Sequence, residues 1–280
     1  MHILVTGATG KVGRRVIPRL LHRGDTVRVL VRHQAQGETF RAHGAEVATG
    51  DVLRPETLGP AIAGVDAVLH LAAFFRGATP EQARATNREG TLHLARASIA
   101  AGMPRFVFVS TNLVYGPGHG RPAREDDAPR AQAGYPASKV EAERALGDLY
   151  AAQGLGLRVL RLAFVYGEGD PHLAEFAPIL RRWPAARRLH LVHHADVAQA
   201  ALLAIDTPGI DGRTYNVADD EPLAAAAIQR LTGQPVAEEA ATLPLDDPWD
   251  GIVDTARIKA DLRFHPLYPS LYAAREADVL

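Results

Sequence analysis

The chain has 280 residues, of which 47% are hydrophobic and 22% charged, the composition of an ordinary soluble globular protein with a large core. Its formal net charge of -1 implies no bulk electrostatic attraction to nucleic acid or to an anionic membrane. The lack of cysteine excludes disulfides, thiolate metal sites and a cysteine nucleophile, and no apolar run reaches the ~20 residues that span a bilayer, so we expect a cytoplasmic protein.

The first two thirds of the chain alternate short apolar runs with helix-like segments. The apolar runs predict strands at residues 2–6, 26–31, 45–49, 67–72, 106–110 and 158–162. The segments between them predict helices near residues 11–23, 56–63, 80–101 and 135–153. Continuous apolar strands separated by helices indicate a parallel sheet that is covered on both faces. We therefore predict an α/β fold with a doubly wound parallel sheet of the Rossmann type.

The pattern loosens after about residue 165, where prolines interrupt it. We predict a dinucleotide-binding domain over residues 1–165 and a smaller substrate-binding region over residues 166–280, interleaved with the main sheet. Two long loops, at residues 116–134 and 166–184, are expected to contact a small-molecule substrate, because loops beside a rigid sheet often carry such contacts.

A glycine-rich run, GATGKVG, follows the first predicted strand and opens the first helix. Glycines allow a tight turn and a close approach of the backbone, and the free N–H groups at the positive end of a helix receive a pyrophosphate. The strand-turn-helix context favours a nucleotide cofactor over a glycine-rich turn without a ligand. The residues of this run that we expect to bind the cofactor are Gly7, Thr9, Gly10, Lys11, Val12 and Gly13.

The end of the second strand helps to choose the cofactor. NAD-binding folds of this type place an acidic residue there to hold the ribose hydroxyls, whereas this chain has Arg32. A guanidinium binds a 2′-phosphate in a forked geometry, and a carboxylate would repel it. We predict a preference for NADP over NAD, with the alternative that Arg32 simply points into solvent.

Tyr135 and Lys139 lie four positions apart in the run GYPASKVEAERAL, on a predicted helix. A phenol and an ammonium at this spacing share a helical face, so that the cation favours the phenolate. Such a pair alone is typical of many solvated surface helices. Other residues must decide whether it performs chemistry.

Taken together, the motifs resemble those of the extended short-chain dehydrogenase/reductases, a group often labelled NAD-dependent epimerase/dehydratase. After the glycine-rich run, the similar segments are GDVLRPETL, HLAA, NREGT, VSTNLVYG, YPASK, RLAFVYG, HHADVAQA and YNVADDEP. The resemblance covers roughly residues 1 to 220. It implies further cofactor contacts, near the adenine and beneath the cofactor, from Asp51, Val52, Leu71, Ala72 and Ala73.

The resemblance also implies catalytic roles. Hydride transfer at a carbon that bears oxygen needs a proton to move at that oxygen, and a free phenol with a pKa near 10 is a poor base at neutral pH. Tyr135 would be the general acid/base, while Lys139 would lower its pKa and hold a nicotinamide ribose hydroxyl. Thr111, four positions before Tyr115, would hydrogen-bond the substrate oxygen, with Ser110 as the alternative.

Departures from the family pattern narrow the activity. Dehydratases of the family carry an Asp-Glu pair where this chain has Asn112 and Leu113, and nucleotide-sugar epimerases usually carry Asn where it has Phe164. We favour an NAD(P)-dependent oxidoreductase that acts on a carbonyl or alcohol. A nucleotide-sugar epimerase with tightly held cofactor and a non-catalytic dinucleotide-sensing protein stay open. Four basic residues either grip an anionic substrate or form a solvated face: Arg181, Arg182, Arg187 and Arg188.

Three histidines, His190, His193 and His194, do not predict a metal site, because adjacent side chains point in different directions and no carboxylate cluster completes a ligand set. Asp196 is expected to accept hydrogen bonds from free N–H groups at the start of its helix. Asn87 is expected to bond nearby backbone and shape the site. A homodimer through the helices near 80–101 and 135–153 is possible.

Overall fold

The computed structural model describes residues 1–75, 77 and 79–280. Its strands are β1 (His2–Thr6), β2 (Thr26–Val31), β3 (Glu46–Thr49), β4 (Ala67–His70), β5 (Phe106–Thr111), β6 (Leu157–Leu162), β7 (Phe164–Tyr166), β8 (Arg188–Leu189), β9 (Leu191–His193), β10 (Arg213–Val217) and β11 (Leu223–Ala224). Seven of them form one parallel sheet in the order β10-β6-β5-β4-β1-β2-β3. Two small sheets pair β7 with β9 and β8 with β11.

The helices lie between and after these strands. They are α1 (Gly13–His22), α2 (Glu38–Ala42), α3 (Leu58–Ile62), α4 (Pro80–Arg84), α5 (Thr91–Ala100), α6 (Gly134–Gln153), α7 (His172–Leu180), α8 (His194–Asp206), α9 (Ala225–Leu231), α10 (Ala256–Leu262) and α11 (Leu271–Glu276). A π-helical turn over Ala85–Gly90 joins α4 to α5. Short 3-10 turns lie at Gln34–Gly37, Pro55–Thr57, Asn112–Tyr115 and Glu238–Ala241.

Both faces of the main sheet are buried. Along β1, Ile3 and Val5 belong to an apolar cluster that includes α1 and α8, whereas Leu4 belongs to a second cluster with α3, α5 and α6. Successive side chains of a strand point to opposite faces, so a strand between two helical layers is apolar at most of its positions. The prediction of a doubly wound parallel sheet is confirmed.

The element boundaries differ from the sequence prediction in two informative places. The strand predicted over 67–72 ends at residue 70, because Leu71 and Ala72 turn to donate their N–H groups to the backbone and side-chain oxygens of Thr6. The single helix predicted over 80–101 is divided by the π turn, whose extra residue breaks the 3.6-residue repeat.

The later part of the chain contributes to the main sheet and also builds its own core. Strand β10 pairs with β6 at one edge of the sheet. A third apolar cluster collects side chains from α7, α9, α11 and the small sheets. The division of the chain at residue 165 stays a prediction. Among the described residues, every helix is too short or too polar to cross a bilayer.

An acidic side chain lies inside the protein at the end of β10. Asp219 is buried, and its backbone carbonyl accepts a hydrogen bond from the His190 ring at 3.0 Å. Burial raises the pKa of the Asp219 carboxyl to about 9, and the nearby Asp220 and Asp196 add to the effect. The folded protein therefore holds a neutral carboxyl there at pH 7.

We expect the substitution Asp219→Asn to stabilise the protein increasingly as the pH rises. The unfolded Asp ionises near pH 4, whereas the folded one stays protonated to about pH 9, so its contribution to stability is lost between these values. One unit of raised pKa corresponds to about 1.4 kcal/mol, and we expect at least that gain at pH 8. Urea unfolding at pH 5 and pH 8 measures it.

The control is Asp148→Asn on α6. Asp148 is exposed and makes no side-chain bond to a described residue, so its loss should change the stability little at either pH. A gain for Asp219→Asn that is equal at pH 5 and pH 8 would contradict the neutral state of Asp219.

Candidate active site

The strand order brings the residues singled out in the sequence to one edge of the sheet. Gly7 follows β1, Arg32 follows β2, Asp51 follows β3, Leu71 follows β4 and Thr111 ends β5. Because these strands are parallel, their carboxyl ends meet at the same edge, which is where open α/β sheets bind ligands.

The glycine turn is shaped for a close backbone approach. Gly7 has a φ of 72°, and a Cβ added to it would lie 2.6 Å from the Ala72 nitrogen. A Cβ on Gly13 would lie 2.4 Å from the Gly7 oxygen. Only glycine fits at these two positions, so the turn forms the cradle that a dinucleotide cofactor requires. The remaining residues of the turn line its outer side: Thr9, Gly10 and Lys11 are exposed and Val12 is half-buried.

The Lys11 side chain connects this turn to the later part of the chain. Its ammonium lies 3.0 Å from an oxygen of Asp170 and 2.9 Å from an oxygen of Glu175. Asp170 is buried and also lies 2.8 Å from the His194 ring. These two contacts use two of the three N–H donors of the Lys11 ammonium.

Arg32 and Asp51 lie at the far end of the same edge. Arg32 is exposed, and no hydrogen bond or ion pair joins it to any described residue. Asp51 is half-buried and accepts a hydrogen bond from the Leu53 nitrogen at 2.9 Å through one carboxylate oxygen. Val52 packs beneath Gly90, where an added Cβ would come within 2.7 Å of it.

Asn87 fixes the segment that follows β4. From the π turn, its amide accepts a hydrogen bond from the Phe74 nitrogen at 2.7 Å and donates to the Phe74 oxygen at 3.0 Å. The same amide donates to the Ser138 hydroxyl on α6 at 2.9 Å. Three residues precede Phe74 in this segment: Leu71 and Ala72 are half-buried, and Ala73 is exposed. Asn87 thus bonds nearby backbone and also holds α6.

A buried hydrogen-bond chain runs from the glycine turn to the π turn. The Thr91 hydroxyl donates a hydrogen bond to the backbone oxygen of Asn87 at 2.8 Å. Its oxygen therefore accepts the hydrogen bond from His70 Nε2, also at 2.8 Å. The other ring nitrogen of His70 then accepts from Thr6 at 2.6 Å. Burial lowers the pKa of His70 to about 3, with a smaller effect from Lys139, so the ring is neutral.

Lys139 is fully buried at the sheet edge. Its ammonium donates to the Val109 oxygen at 2.8 Å and lies 4.4 Å from the centre of the Phe108 ring. Burial lowers the pKa of Lys139 to about 7, although Glu143 acts in the opposite direction. The side chain is therefore only partly charged at neutral pH.

The structure corrects one expectation about Tyr135. Its ring centre lies 5.9 Å from the Lys139 ammonium, and burial raises the pKa of the phenol above its ordinary value. The sequence predicts a lowered value. The reason for the difference is that a buried phenolate loses hydration, which sequence spacing does not report.

The two candidate hydroxyls on β5 have different partners. Ser110 donates to a Glu143 oxygen at 2.5 Å, which turns its proton away from the site. Thr111 accepts a hydrogen bond from the Leu113 nitrogen at 3.3 Å, so its own proton can be donated to a substrate. This arrangement favours Thr111 over Ser110, and its catalytic role stays a prediction.

The three histidines serve separate structural contacts. His190 bonds the Asp219 oxygen, His193 caps α8 through the Ala195 nitrogen, and His194 pairs with a carboxylate, as described above. Among the residues that the structure describes, no three His, Asp or Glu side chains are grouped to hold a metal ion.

Asp196 does not act as expected from the sequence. Its carboxylate accepts hydrogen bonds from the nitrogens of Leu267 at 2.6 Å and Tyr268 at 3.3 Å, on a distant segment. The start of its own helix is capped by His193. The carboxylate therefore joins two segments instead of capping a helix.

The sequence model of the NAD-dependent epimerase/dehydratase family matches residues 3–218. The chain belongs to this family. A ketoreductase from Stigmatella aurantiaca, which acts on 4-hydroxy-2-methyl-3-oxo-4-farnesyl-3,4-dihydroquinoline-1-oxide, is 33% identical over 80% of this chain and 70% of its own length. A UDP-glucose 4-epimerase from Vibrio cholerae is 27% identical over 81% of this chain and 74% of its own.

A solved structure agrees with this membership. The short-chain dehydrogenase/reductase superfamily protein from Agrobacterium tumefaciens, with bound NAD, aligns with a TM-score of 0.80 and 28% identity. The alignment covers 99% of this chain and 95% of that one. The relatives include a named reductase and a named epimerase, so the chain is a member of an NAD-dependent enzyme family.

A buried ion pair supports α6, and the sequence analysis missed it. Glu143, one turn after Lys139, pairs with Arg161 of β6 at 2.6 Å. Arg161 also donates to the Tyr115 hydroxyl at 2.8 Å, which donates in turn to Asn216 of β10 at 2.7 Å. The available signal was a pair of arginines, Arg158 and Arg161, inside a strand whose other residues are apolar.

We expect Glu143→Gln to destabilise the protein strongly. The substitution leaves the Arg161 guanidinium buried without its counter-charge, and breaking such a pair typically costs about 3 kcal/mol or more. Glu141→Gln is the matched control on the same helix, because Glu141 is 43% exposed and its loss should cost less than about 1 kcal/mol. Urea unfolding compares them, and equal losses would refute a stabilising role for the buried pair.

Proposed function

We propose that the chain is an NADP(H)-linked reductase or dehydrogenase that transfers hydride between the nicotinamide and a carbonyl or alcohol. The observation that carries this proposal concerns the Tyr135 hydroxyl. It lies one helical turn from the buried Lys139 and makes no hydrogen bond to any described residue. It is therefore available to a substrate oxygen beside the glycine turn.

In the proposed reaction, a few residues bind the cofactor, orient the substrate carbonyl and transfer the proton. The cofactor, when bound, supplies or accepts a hydride at its nicotinamide ring. The glycine turn would hold the pyrophosphate, and Lys139 would hold a ribose hydroxyl with an N–H that is not used on Val109. Thr111 donates a hydrogen bond to the carbonyl oxygen. As hydride adds to the carbonyl carbon, Tyr135 transfers its proton to that oxygen, giving the alcohol.

The raised pKa of Tyr135 supports the direction of reduction. A phenol whose pKa lies above its ordinary value is protonated at neutral pH and is a loaded proton donor. In the reverse direction the phenol must first lose that proton. Positive charge from Lys139 and from an oxidised nicotinamide ring would both help that step.

We expect Tyr135→Phe to remove turnover and leave cofactor binding intact. The loss of the proton donor should lower kcat at least about a hundredfold. The Kd for NADPH should stay within about twofold, because the ring that contacts Phe75 is retained. Absorbance at 340 nm measures turnover and fluorescence titration measures binding. Substantial remaining activity would refute the role given to Tyr135.

We infer that Arg32 directs the preference for NADP. Its position at the end of β2, its exposure and the absence of a bond to any described residue leave its guanidinium available to a 2′-phosphate. The relative from Agrobacterium tumefaciens was solved with NAD, so NAD is the reference against which the preference must be measured.

The substitution Arg32→Ser tests the preference with NADH as an internal control. Loss of a charge-assisted contact should raise the Kd for NADPH by about tenfold or more. The Kd for NADH, which lacks the phosphate, should change by less than about twofold. Equal effects on the two cofactors would remove the basis for an NADP preference.

The second candidate function is a nucleotide-sugar epimerase, which the Vibrio cholerae relative favours. An epimerase returns the hydride to its own substrate and shows no net redox change. Steady consumption of added NADPH with a carbonyl substrate therefore favours the reductase, whereas conversion of UDP-glucose without NADPH consumption favours the epimerase.

A further inference from the structure

We propose that the substrate surface beside Tyr135 takes an uncharged carbonyl compound that carries an aromatic or other flat apolar group. This inference rests on the proposed function, because it assigns the substrate class of the same site. It arises from the rings around Tyr135, from one face of α7 and from the contacts of nearby arginines.

A series of ring contacts leads away from the Tyr135 phenol. The Phe75 ring meets Tyr135 edge-on, with centres 4.7 Å apart. Phe75 also lies 6.3 Å from the His172 ring, which stacks on Phe164 at 4.1 Å. Phe176 lies 4.9 Å from Phe164. Rings in such arrangements attract further aromatic groups through offset and edge-to-face contacts.

Helix α7 presents two apolar faces. Leu173 and Leu180 belong to the third core cluster, and Ala177 between them is buried. A second row follows the helical repeat beside them and continues just beyond the end of α7, and we call it the α7 stripe: His172, Phe176, Ile179 and Trp183. Phe176 and Trp183 are half-buried and pack against the edge of the third cluster, whereas Ile179 is exposed. Phe176 meets Trp183 edge-on at 5.4 Å, so the stripe continues the ring contacts that begin at Tyr135.

Large apolar side chains are left accessible around this site. Phe75 is 46% exposed, Ile179 is 45% exposed and Leu113, two residues after Thr111, is 47% exposed. Exposed apolar side chains favour an apolar ligand, because its binding removes apolar surface from water. The occupant favoured by such a surface is apolar.

Three of the four arginines that follow α7 are engaged by other groups. Arg187 pairs with Asp250 at 2.7 Å and lies 4.1 Å from the Trp183 ring, and Arg181 donates to Gln234. A third, Arg188, donates to the Pro248 oxygen and covers the Trp249 ring. The fourth, Arg182, is exposed and makes no side-chain bond to a described residue. A diphosphate held by Arg181, Arg187 or Arg188 would have to displace these contacts, whereas an uncharged compound needs no guanidinium partner.

Equilibrium dialysis in the presence of NADP+ tests the proposal without turnover. The probe is 2-acetonaphthone, a flat uncharged ketone, and UDP-glucose is the charged comparison. We expect the protein to bind 2-acetonaphthone at least about tenfold more tightly than UDP-glucose. A preference for UDP-glucose, or no binding of the ketone, would overturn the proposal.

Variants locate the bound ketone. Ile179→Glu places a charge in the α7 stripe and should raise the Kd for 2-acetonaphthone at least about tenfold, with Ile179→Gln as a milder second variant. Leu267→Glu is the matched control, since Leu267 is 62% exposed and lies outside the stripe. Binding of NADP+ should not change in any variant. Equal effects of Ile179→Glu and Leu267→Glu would overturn the proposal.

Turnover separates this inference from the function on which it rests. With NADPH in place of NADP+, the protein should reduce 2-acetonaphthone. If 2-acetonaphthone binds and Ile179→Glu weakens that binding, but no carbonyl compound supports NADPH oxidation, the reductase function is refuted and the substrate surface is supported. If small polar carbonyl compounds support NADPH oxidation but 2-acetonaphthone does not bind, the substrate surface is refuted and the reductase function is supported.

Discussion

The hydrogen bond from the buried Lys139 ammonium to the Val109 oxygen is the contact on which the site depends. It fastens α6 to the end of β5, and it does so in surroundings that penalise the charge. Flanking contacts on α6 hold the same helix: Asn87 binds Ser138 immediately before Lys139, and Glu143 pairs with Arg161 one turn after it. The position of Tyr135 is thus set from three separate parts of the chain.

The edge that carries the glycine turn and the proposed substrate surface meet through α7 and the residues before it. Lys11 reaches from the glycine turn to Asp170 and Glu175, while His172 and Phe176 extend the ring contacts from Tyr135. The same short helix therefore places a carboxylate, that of Glu175, beside the glycine turn and apolar rings beside Tyr135. This arrangement explains how a helix of the later region can serve a site built mainly on the main sheet.

Periodicity in the sequence was sufficient for the sheet and the glycine turn, because both depend on neighbours within a few positions. It was insufficient for contacts between distant residues. Arg161 and Glu143 meet across two elements, and Asp196 accepts from a segment 71 residues away. The direction of the Tyr135 pKa also escaped prediction, because burial, which spacing does not report, outweighs the charge of Lys139. The motif resemblance identified the family but left the substrate open.

The π turn over Ala85–Gly90 carries one residue more than an α-helical turn would need. That extra residue sets the direction in which the side chains before it point around the helix axis, relative to those of α5. Deleting it would restore a continuous helix and rotate the preceding side chains by about 100°. Asn87 would then aim away from Phe74 and Ser138 although its chemistry is unaltered. At this position, chain length specifies the orientation of an amide as strictly as residue type does.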